Sequence, residues 1–257
     1  MTIDPADVGA TLHHAYADAE PVVPSSLPAD LNVESGYAAQ DEFVERRIDE
    51  EGPVIGYKIG FTSEAVRSDL GVDEPAYGRV LAETVRWDRC FETSALIEPR
   101  IEPEIAFVLD DDLGPGANRF DVAAATAFVV PVIEVVDSRV QNWDLTAPLA
   151  VADNALAGRL LPGDRAADES GVMSLAREGV EVLIDGERRA TGTGAAVLGH
   201  PADAIAWLAA ALAERGRALE AGDVVTTGSI TEPIPVSAGE TVVARFSSLG
   251  TVVAQAN

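Results

Sequence analysis

Lysine is almost absent from this 257-residue chain: 17 of its 18 basic side chains are arginine, and Lys58 is the exception. Both residue types carry charge, but only lysine gives up its proton when desolvated or crowded by other cations. A sequence that has dispensed with lysine everywhere else keeps Lys58 for something arginine cannot do. Its setting, Val54-Ile-Gly-Tyr-Lys-Ile-Gly60, is apolar and strand-like, a costly place for an idle ammonium. Cysteine is equally scarce. The lone Cys90 excludes an internal disulfide and fits a cytoplasmic protein, and with no histidine near it in sequence it reads as a bystander. Positive charge is in deficit: 43 acidic residues leave a net charge of −25, which repels nucleic acid and anionic membranes as partners. The acids are spread rather than gathered in a tail, a composition expected of a halophilic cell with concentrated internal salt. No apolar run approaches the roughly 20 residues of a membrane helix. The N-terminus, Met-Thr-Ile-Asp-Pro-Ala-Asp, lacks the basic-plus-apolar pattern of a signal peptide.

What is present is enough apolar residue, 47%, for a sizeable core. Within it, acids stand where acids are expensive. Arg100-Ile-Glu-Pro-Glu-Ile-Ala-Phe-Val-Leu109 reads as a strand, and residues two apart on a strand share a face. Glu102 and Glu104 therefore stand side by side and repel. A second apolar run, Phe128-Val-Val-Pro-Val-Ile-Glu-Val-Val136, has Glu134 in its middle. Three carboxylates on two strands suit a hard divalent cation, Mg²⁺ or Mn²⁺. The competing reading puts Glu102 and Glu104 at a wet strand end and pairs Glu134 with an arginine.

Along the chain, residues 5–20 and 34–51 read as helices, with a Pro/Ser linker between them and Gly52-Pro53 as the stop. They form a helical N-terminal extension, 1–52, on a main domain, 53–257. Thr62 or Ser63 caps a further helix start. Residues 71–78 read as a loop, 96–109 as the strand of the paired acids, Asp110–Gly116 as a solvated turn and 120–127 as a short helix. Strands are expected near 156–161, 172–176, 179–190, 224–228, 241–246 and 251–254, with 149–155 helical and Asp185-Gly186 a tight turn. Gly192–Gly199 lacks the Gly-Lys-Ser/Thr ending of a phosphate loop. Residues 201–215 form the clearest helix, with His200 in its cap region and Trp207 in the core. Many short strands with few helices indicate an α+β fold with a closed or rolled mixed sheet.

Seven segments, in order and in register from about residue 52 to the end, resemble one family. They are Gly56-Tyr-Lys-Ile-Gly-Phe-Thr-Ser63, Arg100–Phe107, Ile133–Arg139, Val151-Ala-Asp-Asn-Ala155, Leu198–Ala202, Ala221–Ser229 and Pro235–Gly239. The family is the 2-keto-4-pentenoate hydratase and 4-oxalocrotonate decarboxylase group of the fumarylacetoacetate hydrolase superfamily. The resemblance implies a mixed β-roll core with a helical N-terminal part, and a homo-oligomer. It implies Mg²⁺ or Mn²⁺ held by Glu102, Glu104 and Glu134, with Lys58 catalytic. Thr227, Gly228 and Ser229, with Asn154 and Ala155 close by, would bind a small 2-oxo or 2-hydroxy-dienoic acid. The implied reaction is hydration of 2-hydroxypenta-2,4-dienoate to 4-hydroxy-2-oxopentanoate, as in aromatic catabolism. Alternatives are 4-oxalocrotonate decarboxylation, acylpyruvate hydrolysis, which needs a water-activating base, and a non-catalytic metal-binding paralogue. Two positions depart from the pattern: Ala76 stands where hydratases of the group often carry Asp, and Leu156 where Ser is common. Ala76 leans toward decarboxylation.

Overall fold

The computed structural model describes residues 4–164 and 167–257. Six α-helices lie among them: α1 (Pro5–Asp18), α2 (Val33–Glu51), α3 (Glu64–Leu70), α4 (Arg119–Ala124), α5 (Ala147–Ala152) and α6 (Pro201–Ala213). The strands are β1 (Val54–Gly60), β2 (Ala76–Leu81), β3 (Cys90–Phe91), β4 (Arg100–Leu109), β5 (Thr126–Val136), β6 (Ala157–Pro162), β7 (Ala167–Asp168), β8 (Gly179–Ile184), β9 (Glu187–Thr193), β10 (Val224–Thr226), β11 (Ile234–Pro235), β12 (Thr241–Phe246) and β13 (Gly250–Ala256).

The larger sheet has the order β2-β1-β10-β4-β5-β6, with β7 beside β5 and β11 beside β4. It is mixed: β1 and β10 run parallel, and its other pairs are antiparallel. The smaller sheet runs β3-β13-β12-β8-β9. Ile105, Phe107 and Ile133 of the first sheet share one apolar cluster with Val182, Val242 and Val252 of the second and with Ile205, Leu208 and Leu212 of α6. The expected α+β class with a mixed-sheet core holds. Asp185 and Gly186 both take positive φ, 51° and 82°, and close the β8–β9 hairpin as expected.

Several elements differ from expectation. The loop reading of 71–78 fails from Ala76 onward, where β2 begins; β2 is buried on both faces, so no alternation marks it. Residues 172–176 belong to a 3-10 segment, Glu169–Arg177, rather than to a strand. A short, largely apolar stretch such as Val172-Met-Ser-Leu-Ala176 does not by itself separate strand from helical turn. The paired-acid strand starts at Arg100, not 96. Gly194–Ala213 is, contrary to expectation, long and apolar enough by composition to span a membrane. Here it is a 3-10 turn followed by α6, whose apolar side chains fill the core.

α1 and α2 pack through Val8, Leu12, Ala39 and Phe43 against Val140 and Leu149. Gln40, fully buried on α2, donates to the carbonyls of Tyr77 (2.9 Å) and Val151 (2.8 Å) and so ties the helix to the larger sheet.

Candidate active site

β4 and β5 pair so that Glu102 lies directly opposite Glu134. Glu104, two residues along β4, faces the same way. The three carboxylates bring one ligand oxygen each to within 4.8 Å of one another. What opens the site is a gap on the other edge of β4. β10 pairs with β4 at 106–108 and β11 at 100–101, and the chain between them leaves the ladder alongside the acids. Pro103, which has no N–H to offer a partner strand, sits in that gap. The departing chain is held by Thr227 N to Ile105 O (3.1 Å) and Ile230 N to Pro103 O (3.0 Å). Between them the Gly228 amide donates to Glu104 Oε2 at 2.9 Å. Only glycine serves at 228: its φ is +95°, and a Cβ would stand 2.4 Å from Thr62 Oγ1.

Glu104 Oε1 is buried without a hydrogen-bond partner, and the buried Glu134 Oε2 has only an ion-pair neighbour, the Lys58 ammonium. Buried carboxylates in that state are costly unless a cation or a proton joins them. A hard divalent ion fits this donor set of close, partly unsatisfied carboxylate oxygens. Without one, protons take its place. Burial, reinforced by the Glu134 charge and opposed by Lys58, pushes Glu102 up to about 7. Burial and then the Glu134 charge hold Glu104 well above the ordinary carboxylate range, and burial raises Glu134 against the pull of Lys58.

Lys58 reaches this cluster from β1. Its Nζ lies 3.3 Å from Glu134 Oε2 and donates to Ala155 O at 2.9 Å. Burial works against the ammonium, yet the charges of Glu134, Glu102 and Glu104 outweigh it and raise the Lys58 pKa. The carbonyl that holds the amine is itself held in an unusual way. Asn154, Ala155 and Leu156 take φ of 53°, 49° and 67°, three consecutive non-glycine residues in the left-handed region. The Asn154 amide locks this run onto β2, accepting from Arg79 N (2.7 Å) and donating to Arg79 O (2.9 Å). Gly78 lets the two segments touch, since a Cβ there would meet Asn154 O at 2.2 Å. Behind them, fully buried Asp153 pairs with Arg139 and accepts from its amide at 2.9 Å.

The amine and Glu102 form part of the wall of a cavity of about 740 Å³. Beside Lys58 its surface is apolar, with Phe61, Val136, Leu145, Ala150 and Leu156. Arg100 and Ser229 give it polar points. Of the residues expected to bind substrate, Ser229 and Ala155 line the cavity; Thr227, Gly228 and Asn154 stand behind it as supports for β4 and for the Ala155 carbonyl. Sequence reasoning passed over Arg100 and Trp143. The guanidinium of Arg100 lies 3.9 Å from the Trp143 ring centroid, and its Nε is buried without a partner. Trp143 takes a left-handed φ of 56° and donates from Nε1 to Glu98 O at 3.2 Å. Arg100 and Glu102 stand two positions apart, the same-face spacing that marked the acids, and that signal was available for the arginine too.

The fumarylacetoacetate (FAA) hydrolase C-terminal family matches residues 80–256. The chain belongs to this family. Its full-length relatives include 4-oxalocrotonate decarboxylase of Pseudomonas sp. (strain CF600), 39% identical over 91% of this chain and 89% of that protein. A 2-hydroxypent-2,4-dienoate hydratase of Pseudomonas putida is 41% identical over 82% of this chain and 96% of its own. Among solved structures, 4-oxalocrotonate decarboxylase from Pseudomonas putida G7, complexed with magnesium and adipate, superposes with a TM-score of 0.92 at 36% identity, covering 100% of this chain and 99% of that one. The family match begins at Val80, so it contains the acids but not Lys58. The whole-chain likeness to the decarboxylase structure extends over β1 and the N-terminal helices as well.

Proposed function

We propose that this member of the family is a metal-dependent lyase that hydrates 2-hydroxypenta-2,4-dienoate to 4-hydroxy-2-oxopentanoate. The observation that carries the reading is the meeting of three convergent carboxylates with one buried ammonium on the wall of a cavity. Relatives named as hydratases support it. Mg²⁺ or Mn²⁺ held by Glu102, Glu104 and Glu134 would supply Lewis-acid stabilisation of charge developing on the substrate's 2-oxygen. Lys58, held by Ala155 O and Glu134, is placed to deliver and recover the proton that moves between the substrate's oxygen and carbon atoms. The Phe61–Leu156 wall accepts the apolar diene end and keeps bulk water from the reacting carbons. Ser229 offers a hydroxyl to the polar end.

A second reading, decarboxylation of a 2-oxo-hexenedioate, draws on two observations. Ala76, 3% exposed, leaves no carboxyl at the position of the hydratases' usual Asp to activate water. Arg100 also brings a cation with a free buried N–H to the cavity, suited to a second substrate carboxylate. Acylpyruvate hydrolysis finds no histidine in the cavity wall among the described residues: His13 and His14 lie on α1, and His200 caps α6 by accepting from Ala202 N. We place the activity in the cytoplasm of a salt-accumulating cell, in a homo-oligomer that covers exposed apolar residues such as Trp87 and Phe120. The deciding assay follows Mg²⁺-dependent loss of dienol absorbance, with CO₂ release from the C6 diacid measured in parallel. Turnover of neither compound with Mg²⁺ or Mn²⁺ refutes the proposal.

A further inference from the structure

Lys58 separates two spaces. In front is the large cavity; behind is a small pocket of about 10 Å³, lined by Lys58, Glu134, Thr226, Arg47, Arg79 and Arg159. Four of these residues carry buried polar atoms without a hydrogen bond: Arg79 Nη2 and Glu134 Oε2 each face one ion-pair partner, Asp41 and Lys58, while Arg47 Nη1 and Thr226 Oγ1 have none. Arg47, Thr226 and Glu134 are each no more than 3% exposed. The rest of the arginine chemistry here is already committed. Arg47 gives Nε (2.8 Å) and Nη2 (2.7 Å) to Glu51 and lies over the Tyr16 ring, Arg79 pairs with Asp41, and Arg159 donates to Tyr16 OH at 2.9 Å. Buried polar groups almost always find a partner. Here two donors and an acceptor belong to residues that line a space about large enough for one water molecule.

We propose that the pocket binds a single ordered water that joins Arg47 Nη1 and Thr226 Oγ1 to Glu134 Oε2. Arg47 and Thr226 are then positioning residues for a carboxylate of the metal site. Water suits the mixed demand, because it donates to the carboxylate while accepting from the guanidinium, and the hydroxyl serves either way. A halide suits the arginines but not Glu134. Through this water the N-terminal helix α2 takes part in shaping the metal site from behind, although none of its residues lines the large cavity. This role rests on the metal reading above; the water site itself does not.

The test has two arms. In a high-resolution crystal structure, a single peak is expected within about 2.7–3.2 Å of the three atoms. An empty pocket, or an anomalous peak there after a bromide soak, overturns the assignment. In solution, Mg²⁺ and Mn²⁺ affinity is measured by calorimetry for the wild type, Thr226→Val and Arg47→Lys. Thr226→Val is isosteric and removes only the hydroxyl, so it preserves the packing even if Arg47→Lys unfolds. Loss of an outer partner of a metal ligand weakens metal binding about 10–100-fold, and that is expected for Thr226→Val. Unchanged affinity refutes the positioning role. If the wild type binds neither ion, the functional reading falls instead, and the density alone decides the water.

Discussion

The metal-free site should make the protein less stable as pH rises. Burial holds Glu102 at about 7, against an ordinary 4.5. The folded chain therefore keeps a proton that the unfolded chain has released. Stability from this group is fully present below pH 4.5 and is lost as pH climbs to about 7. Each tenfold change in proton affinity is about 1.4 kcal/mol, so Glu102 alone accounts for about 3 kcal/mol across that window. For a chain of this size that is a fall of roughly 6–12 °C in melting temperature. Glu104 and Glu134 move in the same direction, and so does Asp153, which burial pushes up to about 6. The comparison that isolates the site is therefore wild type against Glu102→Gln, both in EDTA and high salt, by thermal and urea unfolding from pH 5 to 8. The variant should lose much of the slope. Mg²⁺ needs ionised carboxylates, so its stabilisation of the wild type should grow with pH over the same range. A metal-free melting temperature that is flat or rising from pH 5 to 7.5, or an identical slope in Glu102→Gln, refutes the reasoning.

Other consequences can be checked at single positions. Lys58→Met should lower kcat about 10²–10⁴-fold, the usual yield of a positioned proton carrier, while calorimetry shows Mg²⁺ still bound; full turnover in that variant removes the proposed role. Gly228→Ala should cost about 1–3 kcal/mol in urea unfolding through its left-handed backbone, because the Cβ cannot fit beside Thr62. The same change should weaken metal binding by shifting the amide that supports Glu104. Arg100→Gln should raise KM for a C6 diacid about 10–100-fold, the worth of one charged hydrogen bond, and leave KM for the C5 monoacid nearly unchanged; equal effects on both would remove its role as a reader of the second carboxylate.

Parts of this site were legible before any coordinates. Lys58 stood out by scarcity, and Glu102 and Glu104 by a two-residue spacing that a strand translates directly into a shared face. Glu134 stood out as an acid inside an apolar run. What joins them was not legible. Nothing in Val151-Ala-Asp-Asn-Ala-Leu156 announces three consecutive left-handed residues, because no glycine marks them; tertiary contacts from Arg79 and Arg139 impose the conformation. β2 escaped because both its faces are buried and no alternation remains. The placement of Thr227, Gly228 and Asn154 behind the cavity wall was not legible for a related reason. A motif tells which residues gather near a site, but only packing tells which side chain faces the cavity and which supports the wall. Arg47 falls on the core-facing stripe of its charged helix with Phe43, Val44 and Ile48, and it is buried, but nothing in the sequence ties it to the acids.

The amine and the acids stand on one continuous hydrogen-bonded ladder. In the sheet order β1-β10-β4-β5, Lys58 is in register with Thr226, and Thr226 with Ala106, two residues from Glu104. Interstrand spacing therefore fixes the distance between the amine and the acids, and no loop has to close to set it. Phe61, Trp143 and Leu156, by contrast, are mounted on connections outside the strands. Evolution can redraw the cavity's outline by editing those connections while Lys58 and the three acids stay where the backbone puts them. One frame can thus serve relatives that add water and relatives that expel carbon dioxide.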